Sequence, residues 1–180
     1  MADTNKQFDQ VTAKCRQIFI DKMKDYGPSW RIFRLYGITD QLYIKACNIR
    51  QRQETGVSLV GDDIEGNLRA IVNYGVMAII QERNGYADAT DMSSEEATKL
   101  YDKVLQEAKE LMMRKNHDYG EAWRDMFPSS LTDIILTKIN RNKQIAANDN
   151  QTLCSEGADG NYFDMINYAI FYLIKQHETE

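Results

Sequence analysis

Asp164 stands out among the residues whose chemistry could matter. With the stretch Gly160–His177 set at 100° per residue, Asn161, Asn167 and Tyr168 lie within about 60° of it and Lys175 nearly in line. Around this polar stripe the helix is apolar: Met165, Ile166, Ala169, Ile170, Leu173 and Ile174. A helix apolar over most of its circumference is buried, so its polar stripe must be satisfied inside the protein or at a cleft. A carboxylate in that position pairs with a cation, binds a metal or shifts its pKa. The asparagines have two readings of equal weight, a buried hydrogen-bond network or contacts to a ligand.

Cations are offered by Lys138 and Arg141, one turn apart on a face shared with Asn142. Lysine as a point charge and arginine with its fork suit a phosphate. Ion pairing with Asp164 or Asp118 is the competing reading. Acids gather before the same helix as Glu156, Asp159 and Asp164, and before its relative as Asp62, Asp63 and Glu65. Oxygen-only ligands of this kind suit Mg²⁺ or Mn²⁺ rather than zinc, although helix capping also places acids at helix starts. Glu107 and Glu110 could add metal ligands, but read more readily as a solvated helix face. His117 and His177 have no supporting residues for a nucleophile site, and no phosphate-binding glycine loop or CxxC occurs.

The elements that must position these residues follow from an internal repeat. Asp25-Tyr26-Gly27-Pro28-Ser29-Trp30-Arg31 returns 93 positions later as Asp118-Tyr119-Gly120-Glu121-Ala122-Trp123-Arg124. Thr39-Asp40, Lys45 and Gln51 match Thr132-Asp133, Lys138 and Gln144 at the same shift; Asn67 and Asn73-Tyr74 match Asn161 and Asn167-Tyr168 one residue later. Residues 1–86 and 87–180 are therefore two copies of one unit, each too small for a secure core of its own and expected to share one interior. In each copy an amphipathic helix comes first (about Lys6–Lys24 and Ser94–Lys115), with Ser93 and Glu96 as a capping box. A middle helix is expected to start at Thr39 or Thr132 as N-cap, and a third spans about Asp63–Glu82 and Gly160–His177. Val57–Val60 reads as loop, and Trp30 and Trp123 as core anchors, with base stacking the lesser alternative. The fold class is all-α: a tandem duplication packed as a pseudo-twofold helical bundle.

Composition agrees. Two prolines in 180 residues favour long helices, and 43% hydrophobic residues supply a core. The net charge of −5 works against binding the backbone of duplex DNA but permits a small phosphorylated ligand held by local cations. Three cysteines without CxxC read as reduced thiols of a cytoplasmic protein. No apolar run suggests a signal region or a membrane span.

The succession K-N-H-D-Y-G (Lys115–Gly120), K-I-N-R (Lys138–Arg141), E-x-x-D (Glu156–Asp159) and D-x-x-N-Y-A (Asp164–Ala169) resembles the DUF1599 family, nucleotide modification associated domain 1. Copy one shares DYG, Lys45 and Asn73-Tyr74. More distantly, the layout is similar to the all-α nucleoside triphosphate pyrophosphatases of the MazG and dimeric dUTPase group, though the middle helix carries Lys and Arg where those enzymes show glutamates. Two functions are thus expected. One is a Mg²⁺- or Mn²⁺-dependent nucleotide phosphohydrolase. There Glu156, Asp159 and Asp164 hold metal, Asp164, Lys138 and Asn167 carry catalysis, and Arg141, Asp118, Tyr119, Lys45 and Asn73 contact substrate. The other is a non-catalytic module that binds a nucleotide or a protein. Either leaves room for a homodimer. Asp164 against Ala70, and Arg141 against Asn48, make copy two the better site.

Overall fold

In the computed structural model, which describes residues 3–151, 153 and 157–178, each copy folds into the same succession of helices. The first copy has α1 (Thr4–Tyr26), a 3-10 turn (Ser29–Ile32), α2 (Leu35–Thr55) and α3 (Ile64–Asn84). The second repeats it as α4 (Ser94–Tyr119), a 3-10 turn (Ala122–Asp125), α5 (Pro128–Ala147) and α6 (Ala158–Glu178). No strand occurs among the described residues, and Val57–Val60 is loop. The protein is an all-α tandem duplication.

Local chemistry sets most boundaries. Asp3 caps α1 through the Lys6 N–H, and Asp63 caps α3 through the Gly66 N–H at 2.6 Å. Ser93 and Glu96 form the expected reciprocal box at the start of α4. Gly27 and Gly120 end α1 and α4 at φ +64° and +61°, a conformation that costs glycine little. The middle helices begin earlier than the threonines suggested. Pro128 opens α5 at a position where a missing N–H does no harm, and Leu35 opens α2; neither helix has a side-chain cap. Thr39 and Thr132 sit a full turn inside, where their hydroxyls serve as links between the copies. Thr39 Oγ1 lies 2.7 Å from the Tyr162 hydroxyl, and Thr132 Oγ1 accepts from Gln53 Nε2 at 3.0 Å.

The most apolar helices, α3 and α6, pack against each other at the centre. Helix α2 covers α3, α5 covers α6, and α1 and α4 close the remaining faces. Gly75 of α3 permits the central approach, since a Cβ there would stand 2.6 Å from Ile166 Cγ1 of α6. One hydrophobic cluster runs through both copies, from Phe8 and Phe19 to Tyr172 and Ile174. Each copy carrying one apolar face that only the other can cover is the reason two small units form one core. Ion pairs across the copies reinforce it: Arg16 grips Asp102 through two bonds, Arg83 grips Glu107 likewise, and Lys109 meets Asp9. Glu107 is thus a surface ion-pair member, as expected of a solvated face.

The 3-10 turns are the parts that shape the site, and the repeated Trp-Arg pair fixes them. Trp30 and Trp123 are buried at 6% and 5% exposure. Arg31, itself buried, ties its turn to Asp91 and to the Gly85 carbonyl. Its counterpart Arg124 stacks over Trp123 at 4.3 Å and reaches Thr4, Gln7 and Glu178.

Candidate functional site

Four elements of the second copy converge on one cavity of about 400 Å³. The last turns of α4 bring Lys115, Asn116 and Tyr119. The 3-10 turn brings Trp123, α5 brings Lys138, and α6 brings Asp164, Asn167, Tyr168 and Phe171. The size is that of a small-molecule pocket, and the lining combines aromatic walls with a few charged groups.

At its centre Asp164 is held between two ammonium groups. Lys115 Nζ lies 2.6 Å from Oδ1 and Lys138 Nζ 2.8 Å from Oδ2. Asp164 is 13% exposed and Lys138 18%, whereas Lys115 at 45% reaches the mouth. Each ammonium spends one of its donors on the carboxylate and keeps others to offer. The three charges sum to +1, so the centre is attractive to an anion although the whole chain is acidic. The ion-pairing reading of Lys138 is therefore the one realised, with Asp164 as its partner.

The walls are aromatic. Trp123 and Phe171 stack at 4.3 Å with planes 4° apart, and Tyr168 meets Phe171 edge-on at 5.7 Å. Burial, reinforced by the charge of Asp164, pushes the Tyr168 hydroxyl pKa up, so it is a donor at neutral pH. Two lining residues carry buried polar atoms without a hydrogen-bond partner, the Trp123 indole Nε1 and Asn167 Oδ1. Asn167 is oriented by its Nδ2, which donates to the Ala108 carbonyl at 3.1 Å. A buried donor and a buried acceptor without partners are costly to the fold.

The other expected site residues lie elsewhere. Arg141 is exposed on α5 and does not line the cavity; the next residue, Asn142, is buried and accepts from Asn161 Nδ2 at 2.7 Å. The same bond recurs in copy one between Asn67 and Asn48, so Asn142, not Arg141, is the bonding counterpart of Asn48. Asp118 is exposed beside His117. Asn73 is structural: it donates to the Cys15 carbonyl and accepts from the Tyr101 hydroxyl at 2.7 Å. Lys45 sits half-buried on α2 without an acidic partner among the described residues. Asp159 is exposed and caps the Gly160 N–H at 2.8 Å. Glu156 lies outside the described residues. No group of three or more His, Cys, Asp or Glu placed to hold a metal ion occurs among the described residues. Asp164, with both oxygens on ammonium groups, does not by itself fit a divalent cation.

Sequence reasoning overlooked Lys115 and Phe171 as lining residues. The signal for Lys115 was present, because Lys22 stands 93 positions before it. The fold and site define an all-helical, twice-repeated protein with a cation-bearing aromatic pocket in its second copy. The family model described as nucleotide modification associated domain 1 (DUF1599) matches residues 22–81 and 115–176, and the chain belongs to that family. Both matches begin at the paired lysines, Lys22 and Lys115. No curated protein and no solved structure matches the chain. The likeness to the MazG and dimeric dUTPase group thus rests on layout alone.

Proposed function

We propose that the second-copy cavity binds a nucleotide, with the phosphate at Lys115 and Lys138 and the base between the aromatic walls. The observation that carries this reading is the Lys115–Asp164–Lys138 clamp at an aromatic cavity. Asp164 holds the two ammonium groups in place before a ligand arrives, so little side-chain entropy is lost on binding. The phosphate then takes their remaining donors. With Trp123 and Phe171 stacked on each other, Tyr168 and the exposed Tyr119 are the lining rings left to meet a base, and stacking of this kind contributes about 1–3 kcal/mol per base. The family's description, which concerns modification of nucleotides, points the same way.

Binding without metal is the form this donor set supports. Calorimetric titration with the deoxynucleoside mono- and triphosphates tests it, with and without Mg²⁺ or Mn²⁺. Saturable binding without metal is expected, weakened tenfold or more by Lys115→Gln and by Lys138→Gln. No binding, or binding indifferent to both substitutions, would overturn the proposal. Turnover that requires metal would instead support the phosphohydrolase reading, with ligands such as Glu156 from outside the described residues.

A further inference from the structure

The duplication places a second cavity at the equivalent position of copy one, and its chemistry is different. Its volume is about 190 Å³, and Phe19, Tyr26, Trp30, Phe33 and Tyr74 supply aromatic lining. Trp30 occupies the place of Trp123, is 6% exposed, and its indole Nε1 also has no acceptor. Ala70 stands where Asp164 stands in copy two, so no carboxylate lines the cavity. Lys22, the counterpart of Lys115, is exposed at the mouth and has no acidic partner among the described residues. Arg69 lines the cavity too, paired with Glu65 on its own helix.

We infer that this cavity is a second ligand site, for a nucleoside monophosphate inserted base-first. The class of ligand rests on the nucleotide reading of the copy-two cavity; the site itself rests on Trp30, Lys22 and Ala70. The small aromatic interior, lined by Phe19, Tyr26, Trp30, Phe33 and Tyr74, admits a flat ring. The phosphate remains at the mouth on Lys22, whose ammonium is not committed to a carboxylate as Lys115 is. The copies thus form two unequal sites, one with a clamped cation pair and one with a free cation.

The two tryptophans make the sites separately visible, since each cavity holds one and the chain has no third. In Trp123→Phe, the fluorescence of Trp30 should change saturably on adding deoxynucleoside monophosphates. Inorganic phosphate at the same concentration should have little effect. Adding Lys22→Gln, or adding Ala70→Asp to import the copy-two carboxylate beside Lys22, should weaken that response tenfold or more. In the otherwise unaltered chain, calorimetric stoichiometry should fall from two ligands to one with Lys22→Gln, which holds even if Trp123→Phe folds poorly. A response from Trp123 in Trp30→Phe with none from Trp30 in Trp123→Phe, or a stoichiometry of one in the unaltered chain, overturns this inference and leaves the copy-two site standing. Silence of both tryptophans overturns the two together.

Discussion

Phe8→Tyr should stabilise this protein, because the repeat matches Phe8 to Tyr101, whose hydroxyl completes a buried asparagine in the other copy. In copy one, Asn73 Oδ1 accepts from the Tyr101 hydroxyl at 2.7 Å. The pseudo-twofold exchanges Asn73 with Asn167 and Tyr101 with Phe8, and Phe8 has no hydroxyl to give. Asn167 Oδ1 is accordingly buried without a donor. Supplying the hydroxyl adds a hydrogen bond worth about 0.5–1.5 kcal/mol and relieves an unsatisfied buried acceptor. The gain should be about 1 kcal/mol or somewhat more, a rise of roughly 2–4 °C in Tm for a chain of this size. The reverse change, Tyr101→Phe, strips the donor from Asn73 and should cost about 1–3 kcal/mol. Urea unfolding followed by far-UV circular dichroism, at constant m, measures both. Destabilisation by Phe8→Tyr together with a neutral Tyr101→Phe would refute the reasoning.

Gly75→Ala should destabilise by about 1–3 kcal/mol in the same urea assay, because its Cβ would press on Ile166 where α3 and α6 cross. Cys15 should resist alkylation in the native protein at pH 8 and react on unfolding. Burial pushes its thiol up to about 12, and peptide mapping after iodoacetamide would show it. Stability should fall with acid below about pH 4.5, the ordinary glutamate range. The Arg83 guanidinium bonded to Glu107 holds that carboxyl below its usual value. For Glu121, burial raises the pKa, but the bonds from Arg124 and Thr4 and the Arg124 charge together outweigh it and lower the pKa. Groups with depressed folded pKa values stabilise above the unfolded value and lose that contribution as pH falls through the folded one. Urea midpoints from pH 7 to 3 should therefore decline only at the acid end, and Glu107→Gln should flatten part of the decline.

The sequence by itself determined the duplication, the helical class, the glycine stops, the capping box at Ser93 and the burial of both tryptophans. Each of these is local or periodic: caps act within three residues, and an apolar stripe declares its own buried face. It also picked out Asp164, Lys138, Asn167 and Tyr119, all of which line one cavity. Periodicity stopped short of partners. It placed Arg141 and Asn142 on neighbouring faces, but only the packing of α5 on α6 decided that Asn142 turns inward to Asn161 and Arg141 outward to solvent. Thr39 and Thr132 had the look of caps, yet the chain found helix starts a turn earlier and used their hydroxyls across the copies. Lys115 joins Asp164 across 49 positions of chain, and Tyr101 joins Asn73 across 28. No spacing rule reaches that far, because such contacts depend on the angle and register at which helices meet. The difference between the copies at Tyr101 and Phe8 gained meaning only when tertiary structure set Tyr101 beside Asn73.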